Sequence, residues 1–298
     1  MASPFRLLGR SGSERVLNGF IGVSAAVTIL VIIVPLVLGA GLSLLKIESF
    51  AFGGTPRFAG LANFATVLND PEFYSALLNG AVFSFSSVTS QVLFATGVAL
   101  LINREFPGRV FVRASVVLPM LLPAIVVTTV FRWMTDGSTG IITVLLRAIG
   151  VPAIAWGDHP STAMFQVVFL GFWLWSPFMI VSILAALQNI PAALYEAARV
   201  DGANRLQQFF HITLPHLAGV LAIIVLLRII WTFNNFDLIW LATKGGPLGA
   251  TETLPILAYR KSFLTFDLGS GAAIATLSFA LLLVVVLLAL KFFPIERD

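Results

Sequence analysis

Six long stretches with almost no charge run through this 298-residue chain, and so many apolar runs leave it few places to go. Crossing the roughly 30 Å hydrocarbon core of a bilayer takes about 20 apolar residues in a helix. The runs 17–45, 73–103, 114–131, 160–187 and 268–290 carry no charged residue, and a sixth, 214–241, is interrupted by Arg228 and closed by Asp237. Hydrophobic residues make up 58% of the chain and charged ones 11%, whereas soluble domains carry about a quarter charged. The expected fold is therefore all-α, a polytopic membrane protein of six transmembrane helices forming one domain over 1–298. The first run is too long for the apolar core of a signal peptide and is expected to stay as an anchor helix.

Lys and Arg are retained on the cytoplasmic side of membrane proteins, which orients the spans. Arg6, Arg10 and Arg15 place the N-terminus inside. Six spans then put the Arg104–Arg113 connection, the segment around Glu196 and the C-terminal tail inside as well. Ten of the eighteen Lys and Arg fall on these inner segments, seven on the outer ones, and Arg228 is the last. The expected location is a cytoplasmic membrane with both termini in the cytoplasm. The formal charge of +4 and isoelectric point near 9.9 then reflect basic flanks facing anionic lipid rather than a nucleic-acid partner.

Several chemistries lack their parts. The Gly-rich loop and lysine that cradle nucleotide phosphates are missing, so the chain is not a P-loop motor. His159, His211 and His216 are not spaced as a metal set, and zero cysteines exclude disulfides and thiolate sites. No catalytic residue, metal or cofactor is expected in this chain. Turn signals stand at Gly53-Gly54-Thr55-Pro56, Asp136-Gly137-Ser138, Gly150-Val151-Pro152 and Lys244-Gly245-Gly246-Pro247, and a short interfacial helix is expected between Leu61 and Phe73.

The most ordered polar segment is Glu196-Ala-Ala-Arg-Val-Asp-Gly-Ala-Asn-Arg-Leu-Gln-Gln-Phe-Phe-His-Ile-Thr-Leu-Pro215, wedged between two apolar runs. Ala, Arg, Leu, Gln and Glu favour helix, Gly202 allows the backbone to turn, and Pro215 suits the first turn of a following helix. Two short helices joined at Gly202 are expected over 192–213. Small side chains at Ala197, Ala198 and Ala203 would let another protein approach closely. Leu206, Phe209 and Phe210 lie at helical spacing, as they also would in a plain connector resting on the bilayer.

Glu196, Ala197, Ala198, Gly202, Ile212, Leu214 and Pro215 match the EAA loop of ABC importer permeases, and on these residues the chain resembles that family. Leu118-Pro119 with Leu122-Pro123, Asn234-Asn235-Phe236-Asp237 and Gly245-Gly246-Pro247 are similar to the carbohydrate branch, in particular the first permease of maltose-type and glycerol-phosphate-type importers. Unlike the maltose-type subunit, the chain shows no extra N-terminal spans and no large outer domain. The resemblance implies a type I importer permease fold and a second, similar permease subunit. It also implies two copies of an ABC ATPase carrying ATP and Mg, and a periplasmic or extracellular substrate-binding protein. Glu196, Ala197, Ala198, Asp201, Gly202 and Ala203 would then couple to the ATPase.

Arg228 falls 14 residues after Leu214, about 20 Å along a helix and so near mid-membrane. A charge there is unfavourable by several kcal/mol and usually faces a cavity or a partner. Trp231 and Asn235 follow at i+3 and i+7. In the fourth run, Gly171, Leu174, Trp175 and Phe178 share a face, and Pro177 can open a kink. Sugars stack C–H faces on aromatic rings while their hydroxyls seek polar groups. Trp175, Phe178, Arg228, Trp231, Thr232 and Asn235 are thus candidates to line a pathway for a sugar-like, possibly anionic, solute. Ordinary packing and interfacial aromatic belts account for any one of the rings taken singly. The competing readings are an ABC permease for another small solute and an ion-gradient-driven secondary transporter. The latter should show ionisable residues on several spans and repeat symmetry, and only Arg228 lies deep.

Overall fold

In the computed structural model the described residues are 10–47, 55–152, 154 and 156–292. Arg6, the Gly53-Gly54 turn and the C-terminal residues beyond 292 lie outside them. Helix α1 (Arg10–Thr28) passes through a π turn, Ile29–Ile33, into α2 (Val34–Leu42). A two-residue ladder follows, β1 (Leu45–Lys46) antiparallel to β2 (Arg57–Phe58), with Leu45 opposite Phe58. The short helix α3 (Ala62–Leu68) leads into α4 (Pro71–Ile102), the longest helix. Its start is written locally: Asp70 accepts from the Glu72 amide at 2.9 Å, and Pro71 holds the first helical position, where no N–H is needed.

The third expected span, 114–131, is not one rod. Helix α5 (Arg109–Val117) and a 3₁₀ turn, Leu118–Leu121, meet α6 (Ala124–Met134) at a bend of 92°. Leu122 at the corner is extended, φ −83° and ψ 133°. A residue before proline is pushed out of the helical region, so Leu122-Pro123 makes the corner, and Pro119 weakens the turn leading to it. After α7 (Ile141–Ala148) comes α8 (Pro160–Gln188), which stays one helix through Pro177. The Ser176 hydroxyl donates back to the Phe172 carbonyl beside the missing N–H.

The polar segment forms α9 (Ala192–Val200) and α10 (Arg205–Gln208), then a π turn, Phe209–Thr213, into α11 (Leu214–Phe233). Pro215 stands in the first turn of α11, as its helix-start chemistry suggests, and the π turn before it makes Arg205–Phe233 one 29-residue stretch. Pro35 and Pro215 occupy the same place, two residues past a π turn, and in each case the intervening residue bonds back five positions, Val34 to Ile29 and Leu214 to Phe209. The wider turn gives the proline ring room against the preceding carbonyl. Helices α12 (Asp237–Thr243) and α13 (Leu254–Tyr259), a π turn Arg260–Leu264 and α14 (Leu268–Phe292) complete the chain. Among the described residues, five helical stretches are long and apolar enough to cross a membrane, or six if the bent pair is one span.

Helices α4, α8 and α11 form the centre. Ala95, Ala99 and Ile102 of α4 pack with Met179, Ile183 and Leu187 of α8 and Leu217 and Ile224 of α11. Two alanines one turn apart let the backbones come close, as helix packing in lipid requires. Nearer the other end, Phe83, Leu170, Leu174, Leu238 and Ile239 make a second cluster, and Phe73, Phe233, Leu257 and Ile274 a third. No residue between 17 and 42 of the first span is buried, so its apolar side chains need lipid or another protein around them. At the end remote from α9, charged groups tie three elements. Arg260 bonds Glu252 and Glu72, each at 2.7 Å, and Lys261 bonds Asp70 at 2.9 Å.

Candidate functional site

The segment between α8 and α11 is built as a hinge with both halves capped. Gly202 has φ +79°, open to glycine at no steric cost, and nothing lies within 4 Å of the place a Cβ would take. The Ala203 amide donates to the Ala198 carbonyl at 2.8 Å and the Gly202 amide to Arg199 at 3.2 Å, the pairing that closes a helix C-terminus. Asn204 then opens α10 with a reciprocal cap: its side chain accepts from the Gln207 amide at 2.9 Å, and its own amide donates to the Gln207 side chain at 2.7 Å. Tyr195 and Thr213 share a hydroxyl contact at 2.9 Å, tying α9 to the foot of α11.

This fold makes a cleft of about 330 Å³ whose walls include Ala198, Asp201, Gly202, Ala203, Gln207 and His211. Glu196 and Ala197 stand exposed on α9 next to it. Leu206 and Phe210 are also exposed rather than tucked against the bundle.

The second constellation lies inside the helix bundle. Arg228 is 3% exposed, and its Nε donates to Gln91 Oε1 at 3.1 Å. Gln91, 0% exposed on α4, donates from Nε2 to the Gly171 carbonyl at 3.1 Å, which turns its oxygen toward the arginine. The guanidinium carbon sits 4.9 Å from the Trp175 ring centroid, within cation–π range. Phe178 and Trp231 touch one helical turn further, at 5.7 Å between centroids, with Trp231 51% exposed. Arg228 Nη2 and the hydroxyls of Ser84, Ser87 and Thr232 are buried without a partner among the described residues.

Trp175, Phe178, Arg228, Trp231 and Thr232 are thus brought to the facing sides of α8 and α11. Asn235 is not on Arg228's helical face. Helix α11 ends at Phe233, and Asn235 Oδ1 instead accepts from the Leu238 amide at 3.3 Å at the start of α12. The i+7 spacing from Arg228 runs past the end of the helix into Asn234-Asn235, where side-chain capping competes with helical hydrogen bonding. Gln91 is the further residue of this site, and the sequence carries a signal for it: Ser84, Ser87 and Gln91 recur at helical spacing along one side of a charge-free run.

The fold and these two constellations define a membrane protein in which a hinged helix pair joins the two long helices α8 and α11. Comparison with known proteins makes the class specific. Residues 91–294 match the family described as binding-protein-dependent transport system inner membrane component, and the chain belongs to that family. It is the membrane permease subunit of an ABC importer. The chain is 37% identical over 241 residues to the trehalose/maltose transport system permease protein MalF of Thermococcus litoralis, covering 81% of each. It is 33% identical over 233 residues to the sulfoquinovosyl glycerol transport system permease protein SmoG of Agrobacterium fabrum, covering 78% of this chain and 76% of that one. Among solved structures, a chain of a bacterial ABC transporter involved in import of the acidic polysaccharide alginate superposes with TM-score 0.82 over 96% of this chain, at 22% identity.

Proposed function

We propose that this permease carries a sugar or sugar derivative bearing a negative group, and that Arg228 is the group that meets that charge. The observation that supports this is an imbalance. Arg228 is buried at mid-helix, Gln91 supplies its side-chain hydrogen bond, and each Asp and Glu of the sequence lies outside the charge-free interiors of the spans. An uncompensated charge at the centre of a transmembrane helix is unfavourable by about 3 kcal/mol or more. A carboxylate, sulfonate or phosphate on the cargo balances it and accepts a charge-assisted hydrogen bond from Nη2, which has no partner among the described residues. Relatives named for trehalose/maltose and for sulfoquinovosyl glycerol bracket a neutral and an anionic sugar, which favours this substrate class over another small solute. A secondary transporter would need more than one deep ionisable group.

In this reading Trp175, Phe178, Trp231 and Thr232 line the pathway with Arg228. Trp175 lies over the guanidinium, its ring centroid 4.9 Å away, on the side of α8 that faces α11. The α9–Gly202–α10 hinge receives the rim of an ATPase through Glu196, Ala197, Ala198, Asp201 and Ala203. ATP and Mg are bound and consumed on two such ATPase subunits, not on this chain. A second, similar permease completes the pathway, an external binding protein delivers cargo, and lipid surrounds a single membrane domain over 1–298. The hinge and both termini face the cytoplasm. Closing the ATPases draws the hinges together and shifts the bundle between two discrete packings.

Replacing Arg228 with Met, measured by uptake into proteoliposomes holding the whole complex, tests the proposal. Loss of anionic-sugar uptake with retained assembly and retained uptake of the neutral analogue is expected. Undiminished transport of the anionic sugar rejects it.

A further inference from the structure

At the end of the bundle remote from Gly202, a cleft of about 410 Å³ opens between the end of α6, the start of α8 and the end of α12. Its walls include Arg132, Asp136, Trp156, Asp158, Gln166 and Lys244. Two polar atoms on its lining residues are buried without partners among the described residues, just behind the cleft surface: the Trp156 indole Nε1, a donor, and Gln166 Oε1, an acceptor. Gln166 is 3% exposed and comes from α8, one of the central helices, so its position is set by the core rather than by a mobile loop. Leaving a buried donor and a buried acceptor unmet is unfavourable, and such groups in native proteins generally mark a missing ligand or water.

We infer that this cleft is a separate binding site for the hydroxylated, uncharged part of a sugar. The inference rests on the proposal that the cargo is a sugar. A hydroxyl is both donor and acceptor, so one sugar face can accept from Trp156 and donate to Gln166 while a C–H face lies against the indole ring. The size falls within the roughly 300–1,000 Å³ of small-ligand pockets. Charge points the same way. Two cations, Arg132 and Lys244, stand against two carboxylates, Asp136 and Asp158, and the Arg132 guanidinium already donates to the Leu241 carbonyl at 3.3 Å. The cleft therefore has no net sign with which to choose an anion, in contrast to Arg228. Recognition is thereby divided: hydroxyls are met at the mouth of the bundle and the charged group within it.

The test uses the purified full complex without its binding protein, with glucose and glucuronate as probes and saturation-transfer NMR titrations as the readout. With the interior charge removed by Arg228→Met in every sample, both sugars are expected to bind with similar dissociation constants. Trp156→Phe, which keeps the ring and removes the N–H, and Gln166→Met, which keeps the volume, should each weaken both sugars by about fivefold to tenfold, the loss of one neutral hydrogen bond. Wild-type affinity in both cleft variants, or no binding of either sugar, overturns the inference and leaves a water-filled cleft only. Arg228→Met uptake decides the cargo proposal independently, so the two can fail separately.

Discussion

Gln91 Oε1 accepts the Nε proton of Arg228 at 3.1 Å, while the same amide donates to the Gly171 carbonyl, so one neutral side chain on α4 holds a charged one on α11 against α8. Replacing Gln91 with Leu strands both the guanidinium and a carbonyl. The expected loss is about 1–3 kcal/mol, read as a lower midpoint in thermal unfolding of the detergent-solubilised complex. Gln91→Glu instead supplies a counter-charge, and uptake should shift from the anionic sugar toward its neutral analogue. An unchanged ratio in a competition assay would remove Arg228's charge from the selectivity argument.

Gly202 holds φ +79° with free space around it, so an added methyl meets no atom and acts through backbone strain alone. Gly202→Ala should cost about 1–2 kcal/mol locally, and Gly202→Asn less, because Asn tolerates the left-handed region. ATPase activity of the assembled complex, with and without binding protein, is the measurement. Coupling that falls in the order Gly, Asn, Ala is expected; equal coupling in all three would mean the hinge angle does not matter.

The cap on α10 rests on two side chains, Asn204 and Gln207. Asn204→Ala should destabilise that four-residue helix by about 1 kcal/mol. Amide hydrogen exchange across 205–208 should accelerate several-fold, while exchange in α8 stays as it was.

The charged clamp at the remote end has a defined pH range. Partial burial pushes the Asp70 carboxyl up, but Lys261, the Glu72 amide and Arg260 outweigh it and hold it below its ordinary 3.8. Burial pulls the Lys261 ammonium down, and Asp70 and Glu72 more than reverse this, raising it above 10.5. A depressed carboxylate stabilises above its unfolded value and loses that as pH falls through the folded one. A raised ammonium stabilises below its unfolded value and loses that as pH rises through the folded one. The difference in melting temperature between wild type and Lys261→Met should accordingly be flat between about pH 5 and 10 and shrink outside that range. A difference that varies between pH 6 and 8 would show another group at work.

Much of this molecule is legible locally. Asp70-Pro71 and His159-Pro160 announce helix starts, Gly202 announces the hinge, and Leu122-Pro123 held the information for the 92° corner, although span length by itself suggested a straight rod. The EAA-type residues needed no partner to be recognised, because their pattern falls within the single segment Glu196–Pro215. Pro215 was harder: whether a proline begins a helix or sits in a continuing one depends on the π turn before it, which no propensity reveals.

The chain's order of apolar runs, caps and prolines determined that it spans a bilayer as helices, where the helices begin, and where the polar hinge falls, since these follow from hydrogen bonds and solvation within a few neighbouring residues. Only the tertiary structure decided that Gln91, 137 positions from Arg228, holds it beneath Trp175, and that Trp156 and Gln166 face one cleft. Helix rotation and register in lipid are set by side-chain packing between distant segments, and a linear reading shows which faces exist but not which faces meet.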